Sequence, residues 1–372
     1  MTIGNRIRPN FALKFGRTCV ALAAVVLFSF PSWSQQPAKR KIIIDQDAAG
    51  PAGTDQQSML LLIQSPQVEV LGITVVTGDA WLKSEVAHTL RMLEIIGRTD
   101  IPVVPGAEYP LVRRQAETEL WEQRYGAVRW VGAWTPRFYH AADELGDMPE
   151  GKPTTKPLDE DAAHFLVRMV HKYPHEITIY EGGPMTNLAL AITIDPEFPS
   201  LAKELVFMGG SFSPRTDDPE FTSTPTREFN LWFDPEAAHT VLTSQWKKIV
   251  CTTVDISVKT RFTHELVDRV KAGATSAAKY VGDYARVRGN YDYLWDELAS
   301  AAWLDPTIIT TKETRYMDVD LDHGASNGTT LSWLEQDKPK IVGPPVEIQV
   351  DLDTAKFYKL FVDLLTAPTP KP

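Results

Sequence analysis

The stretch KIIIDQDAAGPAGTDQQS, residues 41–58, decides the fold and places the first polar cluster. Three isoleucines form an apolar run suited to a buried strand, and the run ends in Asp45, Gln46 and Asp47. A loop of small residues follows, and Asp55 stands at the start of a helix-like segment. Ligands of open α/β sheets bind beyond the carboxyl ends of the strands. The stretch therefore predicts an α/β fold whose first strand supplies both core and site.

The rest of the chain alternates short apolar strands with amphipathic helices, which predicts a mostly parallel central sheet with helices on both faces. The predicted strands are 42–44, 68–76, 102–104, 177–180, 204–208, 249–252 and 346–352. The predicted helices are 57–63, 82–96, 161–173, 186–194, 235–244 and 354–365. Pro, Ser, Thr and Asp are frequent at 148–158 and 211–227, which predicts long loops of the kind that often serve binding.

The N-terminus has the features of a targeting signal. A basic segment precedes an apolar run at 18–30, and the small residues Ser32 and Ser34 follow it with the spacing that a signal peptidase prefers. We therefore predict a signal peptide over residues 1–34 and an exported protein, periplasmic or secreted. An uncleaved membrane anchor is the alternative, for which the apolar run is short.

After cleavage we expect a single catalytic domain over 35–366 and a disordered tail over 367–372. The full chain has a formal net charge of −10 and no long basic run. These features argue against nucleic acid, or a membrane surface after cleavage, as a partner. The one cysteine outside the predicted signal peptide, Cys251, lies in a strand-like run and is predicted to be a buried apolar residue.

Carboxylates and glycine turns follow several of the predicted strands, at 45–47, 77–79, 181–184 and 208–210. Because the carboxyl ends of parallel strands meet at one edge of a sheet, these segments should converge. Unpaired carboxylates at short distance repel one another, and a cation removes the repulsion. Carboxylate and carbonyl oxygens suit Ca²⁺ or Mg²⁺ better than Zn²⁺. Asp55 has a second interpretation, as the N-cap of the helix that follows it.

Four segments of the sequence carry recognisable motifs: DQDAAGPAGTDQQSMLLLIQSP (45–66), GGPMTNLALA (182–191), MGGSF followed by REFNLWFDPEAA (208–238), and WDELASAAWLDP (295–306). Together they resemble the inosine–uridine-preferring nucleoside hydrolase superfamily, with features of its purine-preferring branch. The similarity extends over about 41–365 in the order of the family. It implies a Rossmann-like open sheet and a Ca²⁺-dependent ribonucleoside hydrolase, which cleaves the N-glycosidic bond to free base and ribose.

The resemblance also implies roles for individual residues. The calcium ligands would be Asp47, Asp55, the carbonyl group of Gly182, and Asp296. Asp47 would in addition be the general base that activates water. The substrate contacts would be Asp79, Met208, Glu228, Asn230, Trp295 and Thr54.

Trp295 stands where many family members have a histidine, and the purine-preferring branch has a tryptophan there to stack on the base. The second stacking ring is left open among Trp121, Trp130, Trp134 and Tyr125. Thr54 replaces an aspartate of the family signature, and Thr222 replaces an asparagine. These replacements keep two alternatives open: a non-catalytic nucleoside- or sugar-binding protein that retains the calcium site, and a hydrolase of another ribosyl conjugate. Homo-oligomers are common in the family and are a third open point.

Overall fold

The structure is a computed structural model that describes residues 38–135 and 140–371. The predicted signal peptide, residues 1–34, lies outside the described residues. Within the described residues, no helix combines the length and the apolar character needed to cross a bilayer.

A single mixed sheet runs through the described part of the chain. Its strands are β1 (Arg40–Gln46), β2 (Val68–Val75), β3 (Val103–Pro105), β4 (Ile177–Glu181), β5 (Glu204–Met208), β6 (Ile249–Thr252), β7 (Ile309–Val319), β8 (Thr330–Trp333) and β9 (Val346–Leu352). They lie in the order β3-β2-β1-β4-β5-β6-β9-β7-β8. Strands β1 to β6 and β9 pair in parallel, whereas β7 pairs antiparallel with both β9 and β8. The predicted mostly parallel α/β sheet is confirmed.

Helices connect the parallel strands and cover the sheet. Those of the described residues are α1 (Thr54–Gln64), α2 (Leu82–Ile96), α3 (Gln115–Tyr125), α4 (Ala162–Lys172), α5 (Thr186–Ile194), α6 (Phe198–Leu201), α7 (Pro219–Ser223), α8 (Phe229–Phe233), α9 (Pro235–Leu242), α10 (Val254–Ser257), α11 (His264–Lys271), α12 (Ser276–Tyr284), α13 (Trp295–Leu304) and α14 (Thr354–Thr366). The six helices predicted from periodicity are all present, with ends shifted by up to three residues.

Strands β7 and β8 and several helices, among them α3, α7, α11 and α12, are not among the predicted elements. Strand β7 was not predicted, because most of its first seven residues are polar and exposed or half-buried. They contain no apolar run that would indicate a buried strand. Strand β8 is short and follows β7 as an antiparallel edge. Helix α7 lies inside the segment 211–227, which was predicted to be loop throughout.

The alternation of side chains along β1 divides the core into two layers. Ile42 and Ile44 pack in one apolar cluster with residues of α1, α2 and α13, and Ile43 packs in another with residues of α4 and α5. Both faces of β1 are therefore buried, as in sheets covered by helices on each side. Strand β1 lies between β2 and β4, so the chain order reverses there. The crevice at such a reversal is where open α/β sheets bind ligands.

Candidate active site

A cavity of about 540 Å³ opens at this crevice. Every residue that the sequence predicts for the site lines it: Asp47, Thr54, Asp55, Asp79, Gly182, Met208, Glu228, Asn230, Trp295 and Asp296. They come from the ends of β1, β2, β4 and β5 and from the starts of α1, α8 and α13. The tertiary structure thus brings together residues that are up to 249 positions apart in the chain, from Asp47 to Asp296.

Asp47 lies directly after β1 and is buried. Its Oδ2 accepts a hydrogen bond of 3.0 Å from the backbone N–H of Asp79. A Cβ atom placed on Gly78 would stand 2.1 Å from that oxygen, so only glycine allows the turn after β2 to approach the carboxylate this closely. The two segments that follow β1 and β2 are therefore joined at Asp47.

Thr54 and Asp55 occupy the first turn of α1, and the N-cap position is Gly53. No side chain caps this helix, so the interpretation of Asp55 as an N-cap is wrong. Instead, the buried Asp55 carboxyl group lies in hydrogen-bonding contact with the carboxyl group of Asp296. Thr54 donates through Oγ1 to Oε2 of Glu297 at 2.5 Å.

Asp296 is held by two groups of the central strands. Gln46 of β1 donates through Nε2 to Oδ2 of Asp296 at 3.1 Å. The hydroxyl group of Tyr180 on β4 donates to the backbone carbonyl of Asp296 at 2.9 Å. The other carboxylate oxygen, Oδ1, is buried and has no hydrogen-bond partner among the described residues. Asp296 is thus held in position, and its Oδ1 is available to bind a cation.

Gly182 follows β4 and leaves room for Gln46. A Cβ atom on Gly182 would stand 1.9 Å from Oε1 of Gln46, so a side chain here would displace the group that holds Asp296. The carbonyl oxygen of Gly182 accepts from Nδ2 of Asn230 at 3.2 Å, and the same amide donates to the carbonyl of Met208 at 3.1 Å. Asn230 therefore ties the end of β4 to the end of β5.

Asp45 does not join the cavity, although the sequence grouped it with Asp47 and Asp55. Its side chain lies on the opposite face of β1 from Gln46. There Oδ1 accepts from Oγ1 of Thr74 at 2.7 Å and from Nδ2 of Asn187 at 2.8 Å. Side chains alternate along β1, so Asp45 faces away from Gln46, whereas Asp47 lies past the end of the strand and lines the cavity.

The buried carboxyl groups hold their protons more tightly than exposed ones. Burial, followed by the charges of neighbouring carboxylates, raises the pKa of Asp47 and of Asp55 well above the ordinary range. Burial likewise raises the pKa of Asp296 to about 7 and that of Asp79 to about 6. The shared contact of Asp55 with Asp296 accordingly requires a proton or a cation between the two oxygens.

The donor set fits a hard divalent cation by its chemistry. Among residues 38–135 and 140–371, no three His, Cys, Asp or Glu side chains are arranged to hold a metal ion as they stand. The cluster nevertheless consists of buried carboxylates and a backbone carbonyl, and one oxygen of Asp296 is unpartnered. Such oxygen donors are what Ca²⁺ and Mg²⁺ prefer. A divalent cation bound between these carboxylates would contact that oxygen and offset their mutual repulsion.

Glu228 is the N-cap of α8, and its carboxylate is already engaged. The side chain of Glu228 caps the helix, and its Oε1 accepts a hydrogen bond from the N–H of Asn230 at 2.7 Å. Its Oε2 accepts from the N–H groups of Gly210 and Leu231 at 2.9 and 3.1 Å. Glu228 thus shapes the cavity wall by holding the turn after β5 against α8.

An aromatic wall stands around Trp295. The ring of Trp295 contacts Tyr293 at 4.9 Å and Phe221 at 5.9 Å between centroids. Of the rings proposed for the opposite side of a base, Trp130 lines the cavity and donates to Oδ1 of Asp79 at 2.6 Å. The other proposed rings, Trp121, Trp134 and Tyr125, are not part of the lining.

Several lining residues were missed at the sequence level. They are Arg129, Glu220, Phe221, Phe229, Arg288, Tyr291, Tyr293 and Glu297. Most come from 218–221 and 284–293, segments without a matching family motif. Glu297 and Phe229 could have been found from the motifs, since Glu297 directly follows the predicted ligand Asp296 and Phe229 lies between the predicted contacts Glu228 and Asn230.

Three comparisons extend these observations to other proteins. The family model described as inosine-uridine preferring nucleoside hydrolase matches residues 42–359. Uridine nucleosidase 1 of Arabidopsis thaliana is 32% identical over 284 residues, which are 73% of this chain and 76% of that protein. The inosine-uridine preferring nucleoside hydrolase of Leishmania major is 27% identical over 338 residues, 88% of this chain and 97% of that protein.

A solved structure gives the same result at the level of the fold. The structure of a plant nucleoside hydrolase superposes with a TM-score of 0.72 at 28% identity. The match covers 88% of this chain and 99% of the plant chain. The similarity of fold therefore extends over most of both chains.

Proposed function

This chain belongs to the inosine-uridine preferring nucleoside hydrolase family, and from that premise we propose that it cleaves purine ribonucleosides in preference, with Ca²⁺ bound beside Asp47. Membership of the family makes the chain an N-glycosyl hydrolase of ribonucleosides. The observation that carries the finer proposal is the buried group of Asp47, Asp55 and Asp296 at the carboxyl ends of the strands.

Asp47 is the residue best placed to be the general base. Its carboxylate is buried, lines the cavity and is oriented by the N–H of Asp79. In the reaction, the oxygen of a water molecule forms a bond to C1′ of the ribose and passes a proton to Asp47. The electron pair of the C1′–N bond leaves with the base. Carboxylates around the cavity stabilise the positive charge that develops on the sugar ring.

Asp47, Asp55, Asp296 and the carbonyl of Gly182 would hold the cation. When bound, a divalent cation neutralises the carboxylates, helps to position sugar hydroxyl groups and makes a water molecule more acidic. Gln46 and Tyr180 keep Asp296 in place for this purpose. The oxygen-only donor set favours Ca²⁺ or Mg²⁺, and the family resemblance favours Ca²⁺.

Trp295 supports the preference for purines. An indole ring stacks on the large face of a purine, and its N–H donates but carries no proton that it can give up near neutral pH. Tyr293 and Phe221 pack against this ring and fix its plane. Asp79, Met208, Glu228, Asn230 and Thr54 line the part of the cavity near the cluster, where the ribose would lie. Thr54 donates to Glu297, which places a carboxylate beside the position where the family signature has one.

We also propose that the protein is exported, on the basis of the basic and apolar segments within residues 1–34. The mature chain would begin at Gln35. A small-molecule nucleoside is then the partner, met outside the cytoplasm. N-terminal sequencing of the protein recovered from its native host tests the cleavage site, and an intact Met1 in mature protein would contradict it.

The function is tested with purified residues 35–372 and inosine, guanosine, adenosine and uridine. Released ribose is measured with Ca²⁺, with Mg²⁺ and with chelator. We expect the purine nucleosides to be cleaved faster than uridine, in Ca²⁺, and not in chelator. Asp47→Ala should lower the rate about 10³-fold or more. Asp217→Asn, at an exposed position, is the matched control and should leave the rate unchanged.

Other outcomes separate the parts of the proposal. Cleavage that persists in chelator would remove the cation from it. Faster cleavage of uridine than of inosine would remove the purine preference. If Ca²⁺ binds but no nucleoside releases ribose, the protein is better explained as a binding protein or as a hydrolase of another ribosyl conjugate.

A further inference from the structure

Glu220 lines the same cavity and has no part in the reaction described above. It lies in α7, within the segment 211–227. Its backbone N–H donates to Asp218, but within the described part of the chain its carboxyl group has neither a hydrogen bond nor an ion pair. A half-buried carboxyl group without a protein partner, in the wall of a substrate cavity, is available for a ligand.

A chain of hydrogen bonds ties this glutamate to the aromatic wall. The hydroxyl group of Tyr293 lies 2.8 Å from Oγ1 of Thr216, and that oxygen accepts from the N–H of Asp218 at 3.1 Å. Oδ1 of Asp218 in turn accepts from the N–H of Glu220 at 3.0 Å as the N-cap of α7. Tyr293 also packs against Trp295, so the position of α7 is set by the surface on which a base would stack.

The residue after Glu220 makes the second connection. The ring of Phe221 is buried and contacts the ring of Trp295 at 5.9 Å between centroids. Glu220, the residue before Phe221, is therefore held at the base end of the cavity. Among the described residues that line the cavity there is no histidine to supply a proton to the base.

We propose that Glu220 is the general acid that protonates the leaving base; this rests on the proposed nucleoside hydrolysis. As the C1′–N bond breaks, its electron pair passes to the base, and the carboxyl proton of Glu220 moves to a ring nitrogen of the base. The water oxygen bonds to C1′ and its proton goes to Asp47. The neutral base and ribose leave, Glu220 regains a proton from solvent, and Asp47 releases one.

The surroundings of Glu220 increase the fraction of its carboxyl group that is protonated near neutral pH. Burial raises its pKa to about 7, and the charges of Asp218, Glu228 and Asp79 act in the same direction. The guanidinium group of Arg129 acts the opposite way but does not outweigh them. An acid with a pKa near the working pH combines a useful protonated fraction with a useful tendency to give up its proton.

The test compares two leaving groups in the same protein. Inosine needs its base protonated, whereas p-nitrophenyl β-D-ribofuranoside releases nitrophenolate, which is stable without a proton. We expect Glu220→Gln to lower kcat for inosine about 10²- to 10³-fold and to leave kcat for the nitrophenyl riboside within about threefold. Activity on the nitrophenyl riboside also reports that the variant is folded. Asp217→Asn, an exposed neighbour in the same segment, should change neither rate.

The pH profile gives a second readout. For inosine, kcat/KM should fall as the pH rises through about 7, because Glu220 loses the proton that it must donate. The fall should disappear in Glu220→Gln and be absent with the nitrophenyl riboside. Equal losses on both substrates, or no loss on either, would overturn the role of Glu220 while leaving the hydrolase in place. Failure of the unsubstituted protein on both substrates would instead reject the proposed function, and this inference with it.

Discussion

At the scale of single residues, the role of one side chain in this site depends on its neighbour, as Gly182 and Gln46 show. The amide of Gln46 holds Asp296, and it occupies the space that any side chain at position 182 would need. From the sequence alone, only the backbone carbonyl of Gly182 has a predicted role, and the absence of a side chain there carries no meaning. In the structure the glycine is what allows glutamine to lie beside the cluster.

Gly182→Ala should lower the free energy of unfolding by about 2 kcal/mol, the usual cost of adding a methyl group to a filled interior. The added Cβ forces Gln46 away, so the affinity for Ca²⁺ should fall as well. Gln46→Ala removes the obstacle, and the double variant should lose less stability than the sum of the single variants. Urea unfolding and calcium titration measure both effects.

Gly289→Ala is the control for that pair, because its Cβ would meet no atom within 4 Å. It should change the free energy of unfolding by less than about 0.5 kcal/mol. Strictly additive losses in the double variant at positions 46 and 182 would contradict the contact between the two side chains.

At the scale of secondary-structure elements, the short helices place more of the functional groups than the long helices do. Helices α7 and α8 have five residues each, and each begins with an acidic N-cap. The long helices α2, α4 and α14 lie under the apolar clusters and were predicted from their periodicity. Five residues are too few for a periodic pattern, so α7 and α8 could be found only from their caps or from a family motif.

The motif residue Asp234 is a connector between elements and does not line the cavity. Its buried carboxylate caps α9 through the N–H of Ala237 and also accepts from Oγ1 of Thr186 and the N–H of Leu111. Asp234→Ala should therefore cost about 3 kcal/mol of unfolding free energy, because buried donors lose their partner. The activity per folded molecule should stay close to that of the unsubstituted protein, as measured by active-site titration.

Asp353→Ala is the matched control for an aspartate N-cap. Asp353 caps α14 at an exposed position and accepts from the N–H of Lys356 at 3.0 Å. Its loss should cost about 1 kcal/mol. Equal costs for Asp234→Ala and Asp353→Ala would contradict the role of Asp234 as a connector.

At the scale of the whole molecule, the acidic cluster couples the site to folding. Calcium that binds the folded state and not the unfolded chain should raise the free energy of unfolding by about 2.7 kcal/mol at a hundredfold excess over Kd. Asp296→Asn should remove most of this gain. Thermal unfolding in Ca²⁺ and in chelator measures it, and an unchanged midpoint temperature in both would argue against a calcium site.

The same cluster predicts the pH dependence of the calcium-free protein. Asp296 titrates at about 7 in the folded state against an ordinary value of 3.8, and Asp47 and Asp55 are shifted in the same direction. Between those values the folded state keeps protons that the unfolded chain has released, so stability contributed by these groups falls as the pH rises. We expect a lower midpoint temperature at pH 8 than at pH 5.5 in chelator. Saturating Ca²⁺ should reduce the difference, and a rise in midpoint between these pH values in chelator would contradict the shifts.

The sequence by itself determined the α/β class, the seven parallel strands and the residues that meet at their ends. Buried parallel strands are apolar throughout, and the segments beyond them must converge on one edge, so both can be read from local patterns. The motifs at 182–191 and 227–238 supplied the remaining predicted site residues in those two segments.

Only the tertiary structure decided which of these groups act together. It separated Asp45 from the cluster, showed that Asp55 is not a cap, and placed Trp130 but not Trp134 at the cavity. It also brought Glu220 to the aromatic wall through contacts between segments more than seventy residues apart. Such contacts depend on packing between distant parts of the chain, and a local sequence pattern therefore cannot predict them.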